Sequence, residues 1–97
     1  MTPLVVRAEA EADIREARAW YAERDEAFAE RFLQEVDWTL DLIGAGPRTF
    51  PTVHRTLRRA LLRRFPYCVF FDARDEVIEV FAVFHAHRDP AIWRSRT

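Results

Sequence analysis

The sequence contains no lysine, a single cysteine and only two glycines among its 97 residues. A disulfide needs two cysteines, so Cys68 cannot form one within the chain. Gly44 and Gly46 stand close together, which excludes a glycine-rich phosphate-binding loop elsewhere in the sequence. All 15 basic residues are arginine, which keeps its charge at any cellular pH and does not readily act as a general base.

Long hydrophobic runs are absent as well. No apolar run approaches the roughly 20 residues that a membrane-spanning helix needs, and residues 1–7 are too short and not apolar enough for a signal peptide. Hydrophobic residues make up 49% of the chain and charged residues 32%, which indicates a globular rather than a disordered protein. We therefore expect residues 1–97 to form one cytoplasmic domain with no membrane partner.

Charge is divided unevenly between the two halves of the chain. Residues 1–46 contain 5 arginines and 11 acidic residues, a balance of −6, whereas residues 47–97 contain 10 arginines and 5 acidic residues, a balance of +5. Such asymmetry predicts that the second half meets an anionic partner. The planar guanidinium group suits carboxylate or phosphate, which it can bind through two hydrogen bonds.

Two amphipathic helices are predicted in the first half, over residues 9–24 and 26–43. Asp25 can cap the second helix, and Gly44, Gly46 and Pro47 end it. The apolar stripe of the first helix comprises Ala10, Ile14, Ala17 and Tyr21, and that of the second comprises Phe28, Phe32, Val36, Leu40 and Ile43. We interpret the aromatic residues Trp20, Phe28 and Phe32 as core.

Four strands complete the prediction, over residues 4–7, 57–65, 67–71 and 76–85. The order is β-α-α-β-β-β, which indicates an α+β domain with a helical hairpin packed on a small, largely antiparallel sheet. Alternation in the last strand places four apolar side chains on the face toward the helices: Ile78, Val80, Ala82 and Phe84. The opposite face is mixed and is expected to be partly exposed. Asp89-Pro90 starts a short terminal helix or turn.

An ordered set of motifs resembles the RelE/ParE toxin family across nearly the whole chain. The motifs are Ala12-Asp13-Ile14, Trp20-Tyr21, Phe32-Leu33, Arg58-Arg59-Ala60-Leu61-Leu62, Phe65-Pro66-Tyr67, His85-Ala86-His87-Arg88-Asp89-Pro90 and Trp93. The resemblance implies the same β-α-α-β-β-β fold. It also implies the growth-inhibiting toxin of a type II toxin–antitoxin pair, of the kind that stabilises plasmids, neutralised by a cognate antitoxin whose C-terminal segment wraps it.

Members of this family act in two ways. RelE-like members cut messenger RNA in the ribosome, whereas ParE-like members poison DNA gyrase. A nuclease needs groups that transfer protons and cations that stabilise the phosphorane. If the chain is a nuclease, its candidate catalytic residues are His87 and Arg88, of which Arg88 matches the family's arginine after the last strand.

Two departures favour the ParE-like branch, in which the chain is not an enzyme. Cys68 stands where RelE-like nucleases carry an arginine, and the C-terminal tail lacks their catalytic tyrosine or histidine. A gyrase poison needs only a binding surface, and Phe65-Pro66-Tyr67 resembles that branch. A third alternative is a non-toxic protein-binding module of the same fold.

Six residues are predicted to bind a partner protein or nucleic acid: Arg58, Arg59, Arg63, Arg64, His85 and Trp93. The four arginines also fit a simpler role, as a solvated face or as charges that protect an edge strand. We expect no cofactor and no metal, because His85 and His87 supply only two ligands where zinc sites use at least three. Cys68 is predicted to be a small buried hydrophobe.

Overall fold

A helical hairpin covers one face of a five-stranded sheet in the computed structural model, which describes residues 1–87 and 90–96. In chain order the elements are β1 (Leu4–Val6), α1 (Ala8–Ala22), α2 (Glu26–Ala45), a 3-10 turn (Pro47–Thr49), β2 (Thr52–His54), β3 (Leu57–Leu61), β4 (Tyr67–Arg74), β5 (Val77–His85) and α3 (Pro90–Arg94). In the described residues, no helix combines the length and the apolar character that crossing a membrane requires.

The sheet is antiparallel from β2 to β5, and β1 joins its far edge parallel to β5, in the order β1-β5-β4-β3-β2. The predicted α+β class, with a hairpin on a largely antiparallel sheet, is confirmed. The three-residue strand β2 was not predicted, because so short a segment shows no alternation of apolar and polar residues.

Both helices pack their apolar stripes against the sheet, as the sequence predicted. Ala10 and Ala17 of α1 and Phe32, Val36 and Ile43 of α2 are buried against the sheet. The Asp25 side chain accepts a hydrogen bond of 2.9 Å from the amide of Ala27 and so caps α2, as predicted. Two of the three aromatic residues assigned to the core are nevertheless exposed: Trp20 by 49% and Phe28 by 44%.

A bulge in β5 reverses the predicted alternation. Val80 pairs with Phe71 and Ala82 with Phe70, so Phe81 is an extra residue opposite this step of β4. One inserted residue turns every later side chain to the other face. Val83 therefore joins the core under the helices, and the prediction that Ala82 and Phe84 face the helices is wrong.

The outer face of the sheet holds a second small core instead of the mixed, partly exposed surface that alternation predicted. It consists of Leu57, Cys68, Phe70, Phe81, Ala82 and Phe84, all at most 7% exposed. Cys68 is only 2% exposed, which confirms its interpretation as a buried hydrophobe. The short helix α3 packs against β5.

Asp13 of α1 joins the helices to the edge of β5 beyond the end of β1. Its carboxylate accepts a 3.0 Å hydrogen bond from the Val83 amide and a 2.6 Å bond from the Arg96 guanidinium group. Arg96 also donates to the Phe81 carbonyl oxygen at 3.3 Å. Two side chains thus satisfy backbone groups that a neighbouring strand would otherwise bind.

Replacing Asp13 with alanine should lower the free energy of unfolding by about 2–4 kcal/mol, because the Val83 amide and Arg96 lose a largely buried acceptor. Urea denaturation measures this loss. Asp13→Asn keeps one acceptor oxygen and should lose less. The control is Asp37→Ala, an exposed carboxylate on α2, with an expected change within about 0.5 kcal/mol. Equal losses at both positions would contradict the proposed role of Asp13.

Candidate functional site

The two arginines of β3 point to opposite faces of the sheet, as neighbours in a strand do. Arg58 is half-buried and donates a 2.6 Å hydrogen bond to the Phe50 carbonyl oxygen. Arg59 is exposed and lines a pocket of about 220 Å³ on the outer face, beside Cys68 and Phe70. Arg58 is therefore engaged within the fold, whereas the side chain of Arg59 is exposed on the outer face.

The loop between β3 and β4 holds the other two arginines of the cluster next to α2. The Arg63 guanidinium carbon lies 5.0 Å from the centroid of the Trp38 ring. The backbone amide of Arg64 donates to the Glu35 carboxylate at 2.5 Å. The sequence cluster of four arginines is therefore divided between the outer face, the fold interior and the helix side, and does not form one basic strip.

His85 ends β5 with an exposed side chain. Its ring centroid lies 5.5 Å from that of Tyr67 and 5.6 Å from that of His87. The amide of His87 donates to His85 Nδ1 at 3.2 Å, so a neutral His85 carries its proton on Nε2. The bulge turns His85 toward the helix side of the sheet, away from Arg59.

A pocket of about 380 Å³ lies beside His85, between α1 and the ends of β4 and β5. Its polar groups include the carboxylates of Asp13 and Glu16 and the phenols of Tyr21 and Tyr67. Burial raises the pKa of Tyr21, and the proximity of Tyr67 raises that pKa further. Groups that could transfer protons therefore lie beside two carboxylates, of which Asp13 is paired with Arg96, and no arginine is among the described residues that line the pocket.

Two predicted site residues lie wholly or partly outside the part of the chain that the structure describes. Arg88 lies outside the described residues, as does the side chain of Trp93, although the backbone of Trp93 belongs to α3. His87 is exposed. The assignment of His87 and Arg88 to catalysis and of Trp93 to partner binding therefore stays a prediction.

Exposed aromatic residues are the surface feature that the sequence interpretation missed. Arg24 lies 3.5 Å above the Trp20 ring, and Arg31 lies 5.1 Å from the centroid of Phe28. In both pairs the arginine follows the aromatic residue by one helical turn, a spacing that brings side chains together on a helix surface. An arginine three or four residues after an aromatic residue was therefore the feature of the sequence that could have predicted these exposed rings.

Comparison with known proteins decides the family. The model of a family described as the ParE toxin of the type II toxin–antitoxin system parDE matches residues 4–90. The chain belongs to the ParE toxin family. A solved structure of the chromosomal ParDE toxin–antitoxin system from P. aeruginosa is similar with a TM-score of 0.78 at 17% identity, over 88% of this chain and 96% of that one. No curated protein matches the chain.

Membership of the ParE family confirms the resemblance drawn from the motifs, and the chain is a type II toxin. The solved ParDE structure supports the fold alone, because its sequence identity is low. Every element from β1 to β5 lies within the matched residues. The matched residues therefore include the described candidates for partner binding, which are Arg58, Arg59, Arg63, Arg64 and His85.

Thiol chemistry offers a test of the outer pocket in this ParE-family chain. Burial raises the pKa of the Cys68 thiol, and the positive charge of Arg59 partly offsets that rise. An aromatic disulfide reagent at pH 8 should react with the native protein more than about tenfold slower than with the chain unfolded in urea. Arg59→Gln should slow the native reaction further, because it removes the charge that favours the thiolate. Equal native and unfolded rates would contradict the burial.

Proposed function

We propose that this toxin acts in the cytoplasm by binding DNA gyrase and that a cognate antitoxin protein neutralises it. The observation that carries the proposal concerns the described residues, among which the sheet separates the exposed Arg59 from His85 and the phenols of the pocket beside it. Cleaving RNA requires a cation close to the groups that transfer protons. A gyrase poison requires only an exposed surface of suitable charge and shape.

The burial of Cys68 also supports gyrase binding over RNA cleavage. RelE-like nucleases carry an arginine there, which would supply a cation on the outer face. Here the thiol is 2% exposed and packs in the outer core with Phe70 and Phe84. Arg59 is thus an exposed charge beside buried apolar side chains, with no second cation at the position of Cys68.

Neutralisation by an antitoxin rests on the description of the matched family as one half of a toxin–antitoxin system. The charge distribution is consistent with it. Arg59, Arg63 and Arg64 are exposed, and guanidinium groups form strong paired hydrogen bonds with carboxylates of an acidic partner. A toxin held in such a complex stays silent until the antitoxin is removed.

The direct test offers the purified toxin two substrates in parallel: supercoiled DNA with gyrase and ATP, and a translating ribosome with messenger RNA. Trapped gyrase cleavage complexes with intact message are the expected result. Cut message with undisturbed gyrase would replace the proposal with a ribosome-dependent endonuclease that uses His87 and Arg88. Neither signal, with no arrest of growth on expression, would indicate a non-toxic binding module.

A histidine variant gives a second prediction. His87→Ala should keep most of the growth arrest, because a gyrase binder does not use this imidazole for proton transfer. In a nuclease, loss of a catalytic group should lower the cleavage rate by about 10²–10³-fold. Arrest is measured as viable counts after induction at matched protein levels. Loss of arrest in this variant, with an unchanged fold, would contradict the gyrase proposal.

Arg59→Glu tests the outer face directly. Reversing a rim charge should lower the yield of gyrase cleavage complexes by about tenfold and weaken its dependence on salt. Arg58→Gln is not a suitable control, because Arg58 binds the Phe50 carbonyl oxygen within the fold. Arg15→Glu, an exposed change on α1, is the matched control and should leave the yield close to that of the wild type.

A further inference from the structure

The pocket between α1 and the ends of β4 and β5 lies on the helix side of the sheet and has a volume of about 380 Å³. We call it the α1 pocket, because five of its lining residues recur at steps of three and one along that helix: Asp13, Glu16, Ala17, Trp20 and Tyr21. Such a spacing places side chains on one face of a helix. The volume lies within the range of about 300–1,000 Å³ that is typical of small-molecule sites.

Aromatic rings form a connected wall of the α1 pocket. The ring centroids of Trp20 and Tyr21 lie 5.0 Å apart, those of Tyr21 and Tyr67 6.2 Å, and those of Tyr67 and His85 5.5 Å. Trp20 is 49% exposed, so a ligand can reach its indole from solvent. The faces of such rings attract cations. The Trp20 ring already does so, because the guanidinium carbon of Arg24 lies 3.5 Å from its centroid without lining the pocket.

Glu16 gives the pocket a negative charge that the fold does not neutralise. Asp13 is paired with Arg96 at 2.6 and 3.3 Å, whereas the Glu16 side chain forms no ion pair among the described residues. The positions three and four residues away from Glu16, where a partner on the same helix would stand, are alanine, aspartate, alanine and tryptophan. A cationic ligand would therefore meet a carboxylate for which its own helix offers no competing cation.

We propose that the α1 pocket binds a small organic cation that carries N–H donors, namely a protonated amine or a guanidinium group on a short alkyl chain. The Glu16 carboxylate accepts hydrogen bonds from the charged end, and the ring of Trp20 attracts the same charge. Ala17 and Val83 provide apolar contact for the alkyl chain. The sheet separates this site from Arg59, so binding here is independent of the proposed action on gyrase.

Other kinds of ligand use only part of this chemistry. An anion would be repelled by Glu16, and a neutral alcohol would leave that carboxylate without a charge partner. A quaternary ammonium ion can contact the rings, but it has no N–H group to donate to the carboxylate. For a metal ion, the described residues offer no group of three histidine, cysteine or acidic side chains. An alkylammonium or alkylguanidinium ion interacts with both the rings and the carboxylate.

Nuclear magnetic resonance of the purified toxin tests the site with n-butylammonium chloride at constant ionic strength. The indole N–H signal of Trp20 should shift and saturate, whereas that of Trp38, on α2 and outside the pocket, should not move. Butan-1-ol has the same alkyl chain without the charge and should bind at least about tenfold more weakly. Tetramethylammonium, which lacks N–H groups, should also bind more weakly than n-butylammonium.

Two substitutions separate the carboxylate from the ring. Glu16→Gln should weaken the binding of n-butylammonium about tenfold, because the ligand loses its charged acceptor. Trp20→Leu should weaken it about threefold, with the Val83 amide signal as the reporter. Glu11→Gln removes an exposed carboxylate of α1 that does not line the pocket and should change the affinity by less than about twofold. Glu16 is exposed, so Glu16→Gln remains informative should Trp20→Leu disturb the fold.

Equal affinity for n-butylammonium and butan-1-ol would overturn the proposal, as would an unchanged affinity in Glu16→Gln. Tighter binding of tetramethylammonium would also overturn it, because the rings alone would then select the ligand. Signals of Trp20 and Trp38 that shift together without saturation would show general attraction of cations instead of a site. If the site is confirmed, two further probes identify the source of the cation. Tighter binding of 1,4-diaminobutane than of Nα-acetyl-lysine methylamide indicates a free amine, and the reverse order indicates a lysine side chain of another protein.

Discussion

The extra residue at Phe81 and the carboxylate that holds the strand beyond it determine how the rest of the molecule is arranged. The bulge turns the Val83 amide outward at the edge of β5, where Asp13 of α1 binds it. The same carboxylate binds Arg96, so the helix layer, the strand edge and the C-terminal segment meet at one buried anion. Phe84 is thereby directed to the outer core and His85 to the helix side, beside Tyr67 and far from Arg59.

The charge asymmetry of the sequence corresponds to the two layers of the structure, an acidic layer of helices and a basic sheet, with one exception. The acidic first half forms β1 and the helical layer, and the basic second half forms the strands from β2 to β5. The β3–β4 loop is the exception, because it carries Arg63 and Arg64 across to α2. Two arginines therefore lie next to a helix that is otherwise rich in carboxylates, so the sign of the local charge is reversed at this point of the helical layer.

Helix periodicity, the Asp25 cap and the strand order were readable from the sequence, because each depends on neighbours within a few residues. The bulge was not, since it is defined by the count of residues on the partner strand β4. Periodicity also could not distinguish a side chain at the border of the buried face of a helix from one at its centre. The prediction that Trp20 and Phe28 belong to the core was therefore wrong. The contact between Trp38 and Arg63 joins positions 25 residues apart and depends on how the β3–β4 loop folds back.

The proposed binding of gyrase depends on the outer face of the sheet. Arg59 is exposed there and lines a pocket beside the buried side chains of Cys68 and Phe70. The groove lined by Phe28 and Trp38 lies on the other side of the sheet, against α2. A partner that covered only the helix side would therefore leave Arg59 exposed. If Arg59 belongs to the surface that binds gyrase, an antitoxin that neutralises the toxin by blocking that surface has to reach the outer face of the sheet.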